Sequence, residues 1–198
     1  MPKFTDDRRR EIRQSLLRTG RERFGAQGLE KTSIAELTDG ADIAAGTFYS
    51  FFDSKEDLLA TILQREAETV YEDLREALRD HEDDPETGLR RFLEIASDSI
   101  ASNPLFRGTI ERDERDHLRD ELDQSTLRST RLEKRSVLIP QLKDWQRRGL
   151  LIDADAELIA QSLIYVSSLP LHRDEFGTDQ YPMVRDLLFD LVISSLVR

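Results

Sequence analysis

A chain of 198 residues, 38% hydrophobic and 35% charged, is long enough for a sizeable core and has the balance of a surface-rich folded protein rather than a membrane or disordered one. It contains no cysteine, which excludes disulfides, thiolate zinc sites and cysteine nucleophiles. No apolar run reaches bilayer length, and the opening MPKFTDDRRRE lacks an apolar signal core, so no membrane partner and a cytoplasmic location are expected.

The net charge of −11 opposes nucleic-acid binding when taken as a sum. The distribution reverses that reading. The first 55 residues hold ten Lys and Arg against nine Asp and Glu, and the remainder nineteen against thirty-one. Residues 1–23 carry eight basic and four acidic side chains, with Arg8, Arg9 and Arg10 adjacent. This asymmetry fits a DNA-binding head on an acidic body. Only five of the 29 basic residues are lysine, a bias that fits either a salt-accumulating, halophilic cytoplasm or a GC-rich genome.

Helical periodicity runs through the chain without an alternating strand pattern or an internal repeat, so an all-α fold of about nine helices is predicted. The first helix spans about Asp6 to Ala26, with Ile12, Leu16 and Phe24 on one face and Gly25 and Gly28 marking its end. Ser33 opens the second, its hydroxyl placed to cap the Glu36 amide while the Glu36 side chain reaches back, and that helix ends near Gly40. Asp42 sits where the chain must turn, and Ala44 to Phe51 can form a third short helix. Asp53 and Glu56, or Ser54 and Asp57, stand at capping-box spacing before a long fourth helix that runs to about His81. Pro85 suits the first turn of the next helix. Further helices are expected at 86–102, 104–118, 119–148, 154–170 and 181–197, with the stretch from Pro170 to Pro182 as a loop.

Two short helices followed by a long one are the parts of a helix-turn-helix, which needs a small apolar core to fix the angle of the helix that enters the major groove. Ile34, Leu37, Ala41, Ile43 and Phe48 fall on inward positions. Ala44, Ala45, Gly46, Thr47, Tyr49 and Ser50 are left outward, where small residues bring the backbone close to base edges. The hydroxyls of Thr47, Tyr49 and Ser50 can bond bases or phosphates, and methyl groups can touch thymine methyls.

From Leu16-Leu17 through Phe24 and Gly28-Leu29, then Thr32-Ser33-Ile34, then Ile43 through Gly46-Thr47-Phe48-Tyr49 to Ser54-Lys55-Glu56-Asp57-Leu58-Leu59, the sequence resembles the TetR family DNA-binding domain. The match covers about residues 8–60. It implies a helix-turn-helix domain at 1–53 and a helical ligand-binding and dimerisation domain at 54–198. It also implies that Tyr49 and Lys55 contact phosphates, that Thr32 or Ser33 does so at the start of the second helix, and that Ala45, Gly46, Thr47 and Ser50 face bases. The family usually has a small residue where this chain has Thr38, and commonly a glycine where it has Asp42; Asp tolerates left-handed geometry better than most residues. Phe52 is read as core. Arg8, Arg9 and Arg10 fit a solvated helix end as well as a DNA-contacting arm.

In the body, Val184, Leu187, Leu188, Leu191, Val192 and Leu196 form one broad stripe on the last helix, and Leu158, Ile159, Ile164, Val166 and Leu169 line the helix before it. The two could make half of a four-helix bundle completed by a second subunit, or pack within the monomer; paired half-sites and the family resemblance favour the homodimer. A pocket for a small-molecule effector, which the resemblance implies, would take its lining from Phe92, Ile95, Phe106, Ile110, Leu138, Leu142, Trp145 and Tyr165, each of which also suits plain core packing. Pro140 is expected to kink the long segment that contains it. Three histidines without cysteine make no metal site, and no cofactor is expected.

The sequence thus predicts a TetR-like one-component regulator that binds double-stranded operator DNA. The rival reading is an acidic helical interaction protein that keeps the head only as a fold element. No nucleophile–base pair, glycine-rich phosphate loop or metal cluster supports an enzyme.

Overall fold

The computed structural model describes residues 4–105, 124–177 and 179–198, the side chains of 124–134 excepted. Among the described residues every regular element is helical. In chain order these are α1 (Asp6–Gln27), α2 (Ile34–Asp39), a 3-10 helix (Ala45–Ser50), α3 (Lys55–Asp80), α4 (Pro85–Ser102) and α5 (Gln124–Arg147). Then come α6 (Ala156–Ser167), a second 3-10 helix (Leu169–His172), α7 (Arg173–Phe176) and α8 (Tyr181–Leu196). Two compact units divide the chain: one holds the residues up to Glu66 with the stretch from Pro104, the other Ala67–Asn103 with Arg128–Arg198.

The N-terminal unit is organised around Ile12, Leu16, Phe24, Leu37, Phe48, Phe52, Leu58 and Ile62, all buried. Thr5 caps α1 by accepting from the Arg8 amide at 3.3 Å. The helix runs past Gly25 and ends on Gly28, whose φ of 83° is left-handed and whose amide donates to the Phe24 carbonyl at 2.9 Å. The expected capping box of α2 is present: the Ser33 hydroxyl accepts from the Glu36 amide at 3.2 Å, and Glu36 Oε2 accepts from the Ser33 amide at 2.8 Å. Gly40 then lets the end of α2 lie directly on α1, because a Cβ there would sit 2.4 Å from Thr19 Oγ1. Asp42 follows in the left-handed region at φ 52°, so the turn survives without glycine.

The third helix differs from expectation in type. It starts at Ala45, ends at Ser50 and is 3-10, with the Thr47 amide donating to the Ala44 carbonyl at 2.8 Å. Six residues that include a glycine and have no side-chain cap cannot sustain an α-helix by propensity, and the tighter form suits short pieces. At α3 the chain uses the Ser54 and Asp57 pair of start signals: Ser54 Oγ accepts from the Asp57 amide at 3.1 Å, and Asp57 Oδ2 accepts from the Asp53 amide at 3.0 Å.

In the second unit, Tyr71, Leu74, Leu89, Phe92, Leu93, Leu138, Leu142, Trp145, Leu163 and Phe189 form one core. Trp145 satisfies its indole by donating to the Glu82 carbonyl at 2.7 Å. Asp84 caps α4 with Pro85 in its first turn, as expected. Pro140 lies inside α5 and does not end it. The stretch expected as a loop after Pro170 instead holds a 3-10 turn and the four-residue α7, pieces too short for periodicity to reveal. The chain closes with the Ile152 amide donating to the Leu196 carbonyl and the Arg198 amide to that of Leu150.

Gly40→Ala should destabilise the N-terminal unit by about 1–3 kcal/mol, since an added methyl must displace a buried Thr19. Thr19→Ala removes the two nearest side-chain atoms and should restore part of the loss. Urea unfolding of the single and double variants measures both.

Candidate nucleic-acid interface

The inward side chains of the helix-turn-helix are those expected from the sequence. Leu37, Ala41 and Phe48 are buried, and Ile34 and Ile43 pack half-buried against them. Thr38 fits inside because its hydroxyl donates to the Ile34 and Ala35 carbonyls of its own helix. Phe48 is fully buried, with Phe52 and Tyr49 rings at 6.0 and 5.6 Å.

Residues i and i+3 eclipse in a 3-10 helix, so Ala44, Thr47 and Ser50 line one row, Gly46 and Tyr49 the next, and Phe48, with Ala45 exposed one turn before it, the row that turns to the core. Ala44, Ala45, Gly46, Tyr49 and Ser50 are exposed and Thr47 is half-buried. Nothing lies within 4 Å of a Cβ built on Gly46, so the fold does not require glycine there. The face offers methyl groups, three hydroxyls and open backbone. Its chemistry is that of a surface able to touch thymine methyls and bond polar edges at short range.

Thr32 and Lys55 are placed otherwise. Thr32 is buried and its hydroxyl donates to the Gly28 carbonyl at 2.7 Å. Lys55 is half-buried, its ammonium donating to the Leu29 and Thr32 carbonyls at 2.9 and 2.8 Å. Two of its three donors therefore tie the α1–α2 loop to the start of α3. Ser33 is exposed, but its hydroxyl is engaged in the capping box. There, donation from the Ser33 amide, then the Ser33 hydroxyl and the Gln27 amide, holds the Glu36 carboxyl down to about 2.

Arg9 is not singled out individually by the sequence, yet it joins α1 to the Ala45–Ser50 helix. Its guanidinium donates to the Ser50 carbonyl at 3.2 Å and lies 5.1 Å from the centre of the Phe51 ring. The 41-residue separation leaves no local signal for this contact. Arg8 and Arg10 pair with Glu11 and Asp7 on the exposed side of α1. Asp39, Asp42 and Asp53 are exposed beside the turn and the reading helix.

In the C-terminal unit, Phe92, Leu138, Leu142 and Trp145, expected as pocket lining, are fully buried core; Ile95 is half-buried and packs on it. Tyr165 is exposed, and Phe106 and Ile110 lie outside the described residues. Leu158, Leu187 and Leu191 are each more than half exposed, as are Tyr165 and Met183. Val184, Leu188 and Val192 flank this stripe half-buried. Ile159, expected to face a partner, is instead in the core: it lies about 100° around α6 from Leu158, so burying one turns the other out. Met183, one turn before Leu187, extends the stripe beyond the residues read from sequence.

Residues 16–62 match the family model described as bacterial regulatory proteins, tetR family. The chain is 26% identical over 147 residues to the transcriptional regulator AcuR of Cereibacter sphaeroides, covering 73% of this chain and 62% of that one. It is 29% identical over 90 residues to the HTH-type transcriptional regulator EthR of Mycolicibacterium smegmatis, covering 46% and 42%. It therefore spans less than two thirds of either relative. Its fold is shared with a TetR transcription regulator from Haloarcula marismortui, at a TM-score of 0.72 and 18% identity over 98% of this chain and 100% of that one.

Two outcomes are expected. Lys55→Met should lower the stability of the N-terminal unit by about 1–3 kcal/mol in urea unfolding, because two carbonyls lose a charged donor. Glu36 has a depressed carboxyl, so its contribution is present above the ordinary value of 4.5 and lost as pH falls through about 2. The urea midpoint should therefore fall more steeply across that window in the wild type than in Glu36→Gln.

Proposed function

We propose that the chain, whose residues 16–62 match the model of the tetR family of bacterial regulatory proteins, is a transcriptional repressor. In this reading it binds a palindromic operator as a homodimer and is released by a small ligand. The exposed row of small and hydroxylated residues on the Ala45–Ser50 helix, held outward by the buried Phe48, carries the proposal. In this reading Tyr49, on the row beside it, donates its hydroxyl to a phosphate, and Thr47 and Ser50 face bases.

The homodimer is supported by the exposed stripes of α6 and α8, Leu158 and Tyr165 on one and Met183, Leu187 and Leu191 on the other. Apolar stripes of this length on neighbouring helices are half of a bundle that a second copy completes. Two-fold pairing then sets the operator half-sites about 34–36 Å apart or at a multiple of that. Effector binding in the body is supported by two buried polar atoms, Ser97 Oγ and Gln141 Nε2, that have no hydrogen-bond partner among the described residues. Such atoms are rare, and a polar ligand is one group that satisfies them. The coupling needed to release the operator is about 1–3 kcal/mol.

Gel shifts with the chain's own upstream DNA over a range of salt test this reading, and no specific complex at any salt would overturn it. Tyr49→Ala should stay dimeric and bind about tenfold more weakly, by loss of one phosphate hydrogen bond. Leu187→Glu with Leu191→Glu should sediment as a folded monomer and lose the specific complex. With Lys55 and Arg9 held on carbonyls and three aspartates beside the reading helix, few phosphates are neutralised, and affinity should fall only shallowly with salt.

A further inference from the structure

Resting on the operator-binding reading, we infer that the half-sites are read through thymine methyl groups, with the protein backbone drawn close at Gly46, and not through guanine edges. Guanine presents two acceptors in the major groove, O6 and N7, and its usual partner is a bidentate Arg or Lys; adenine is read the same way by Asn or Gln. Residues 44–51 contain none of these four residue types. On α2 the exposed positions are Ala35 and Asp39, with Ser33 ahead of them, and a carboxylate accepts only, so it cannot pair with guanine's acceptors.

The neighbouring cations among the described residues have partners away from this face. The Arg9 guanidinium holds the Ser50 carbonyl and covers Phe51. The Lys55 ammonium lies between two carbonyls of the α1–α2 loop. Arg8 and Arg10 pair along α1 with Glu11 and Asp7. Lys31 is exposed but stands on the loop before α2, off the row formed by Ala44, Thr47 and Ser50.

What remains on the reading face is apolar and close-fitting. Ala44 and Thr47, which share one row, supply two methyl groups. Gly46 supplies a gap, for nothing stands within 4 Å of where a Cβ would be, so a base edge can come to the backbone itself. Thymine is the base that carries a methyl group in the major groove, and burial of one methyl between two alkyl surfaces is worth about a fourfold change in affinity. The hydroxyls of Thr47 and Ser50 accept or donate equally and add fit without selecting guanine.

Selection of bound duplexes from a random library by the full chain defines the operator, and two base analogues then test how it is read. Uracil in place of thymine removes only the methyl and should weaken binding about fourfold for each contacted position. 7-Deazaguanine removes the N7 acceptor and should change affinity less than twofold. Ala44→Gly, checked for unchanged helical content by circular dichroism, should abolish the uracil effect at one thymine. Loss of binding with 7-deazaguanine and indifference to uracil would overturn the inference while leaving operator binding intact. A library with no enriched sequence would overturn both.

Discussion

A six-residue 3-10 helix without a cap has no stability of its own, and the candidate interface is built on one. Its geometry is fixed by three features, of which only one, the Arg9 contact, comes from far along the sequence. Phe48 is fully buried in the core of the N-terminal unit, which fixes the rotation of the helix and so decides which row faces out. Arg9 reaches from α1 to the carbonyl of Ser50 and fixes its far end. Asp42, in a left-handed conformation, fixes how the chain leaves α2. The identity of the outward residues is then free to serve recognition, because none of them is needed to hold the helix in place.

The parts of this arrangement that were legible in the sequence are those governed by local spacing. Capping boxes, the inward stripe through Leu37 and Phe48, and the tolerance of Asp42 for the turn each rest on residues within one or two turns of one another. What could not be read is how polar groups are distributed between solvent and backbone. A lysine or threonine beside a helix start has the same composition whether it faces a phosphate or a carbonyl; Lys55 and Thr32 face carbonyls because the fold of the α1–α2 loop brings those groups within their reach. The choice between α and 3-10 was equally out of reach, since over six residues the two periodicities place nearly the same side chains inward. Leu158 and Ile159 show the limit on the body: adjacent apolar residues fit a stripe equally well until the packing of α6 selects one.

Commitment of the cations changes the electrostatics of the head more than the count of charges does. Ten basic residues against nine acidic ones in the first 55 is close to neutral, and Arg9 and Lys55, although they keep their charge, have donors held on carbonyls. The exposed carboxylates of Asp39, Asp42 and Asp53 are not compensated in the same way. A head of this kind draws little from counterion release and must gain its affinity from contacts at van der Waals distance, which is what a row of methyl groups and a glycine gap can provide.

The body meets the same charge from the other direction. Each copy carries a net −11, so two copies repel, and only surface poor in charge can bring them together. The exposed leucines and methionine of α6 and α8 form such a surface. Salt shortens the range of that repulsion to about 3 Å at 1 M and strengthens apolar association, while it costs a weakly cationic head little. In the proposed dimer the two effects of salt act in opposite directions: assembly improves as phosphate attraction declines. Operator occupancy in such a protein is therefore buffered against ionic strength, a property that arises from the placement of the charges and not from their sum.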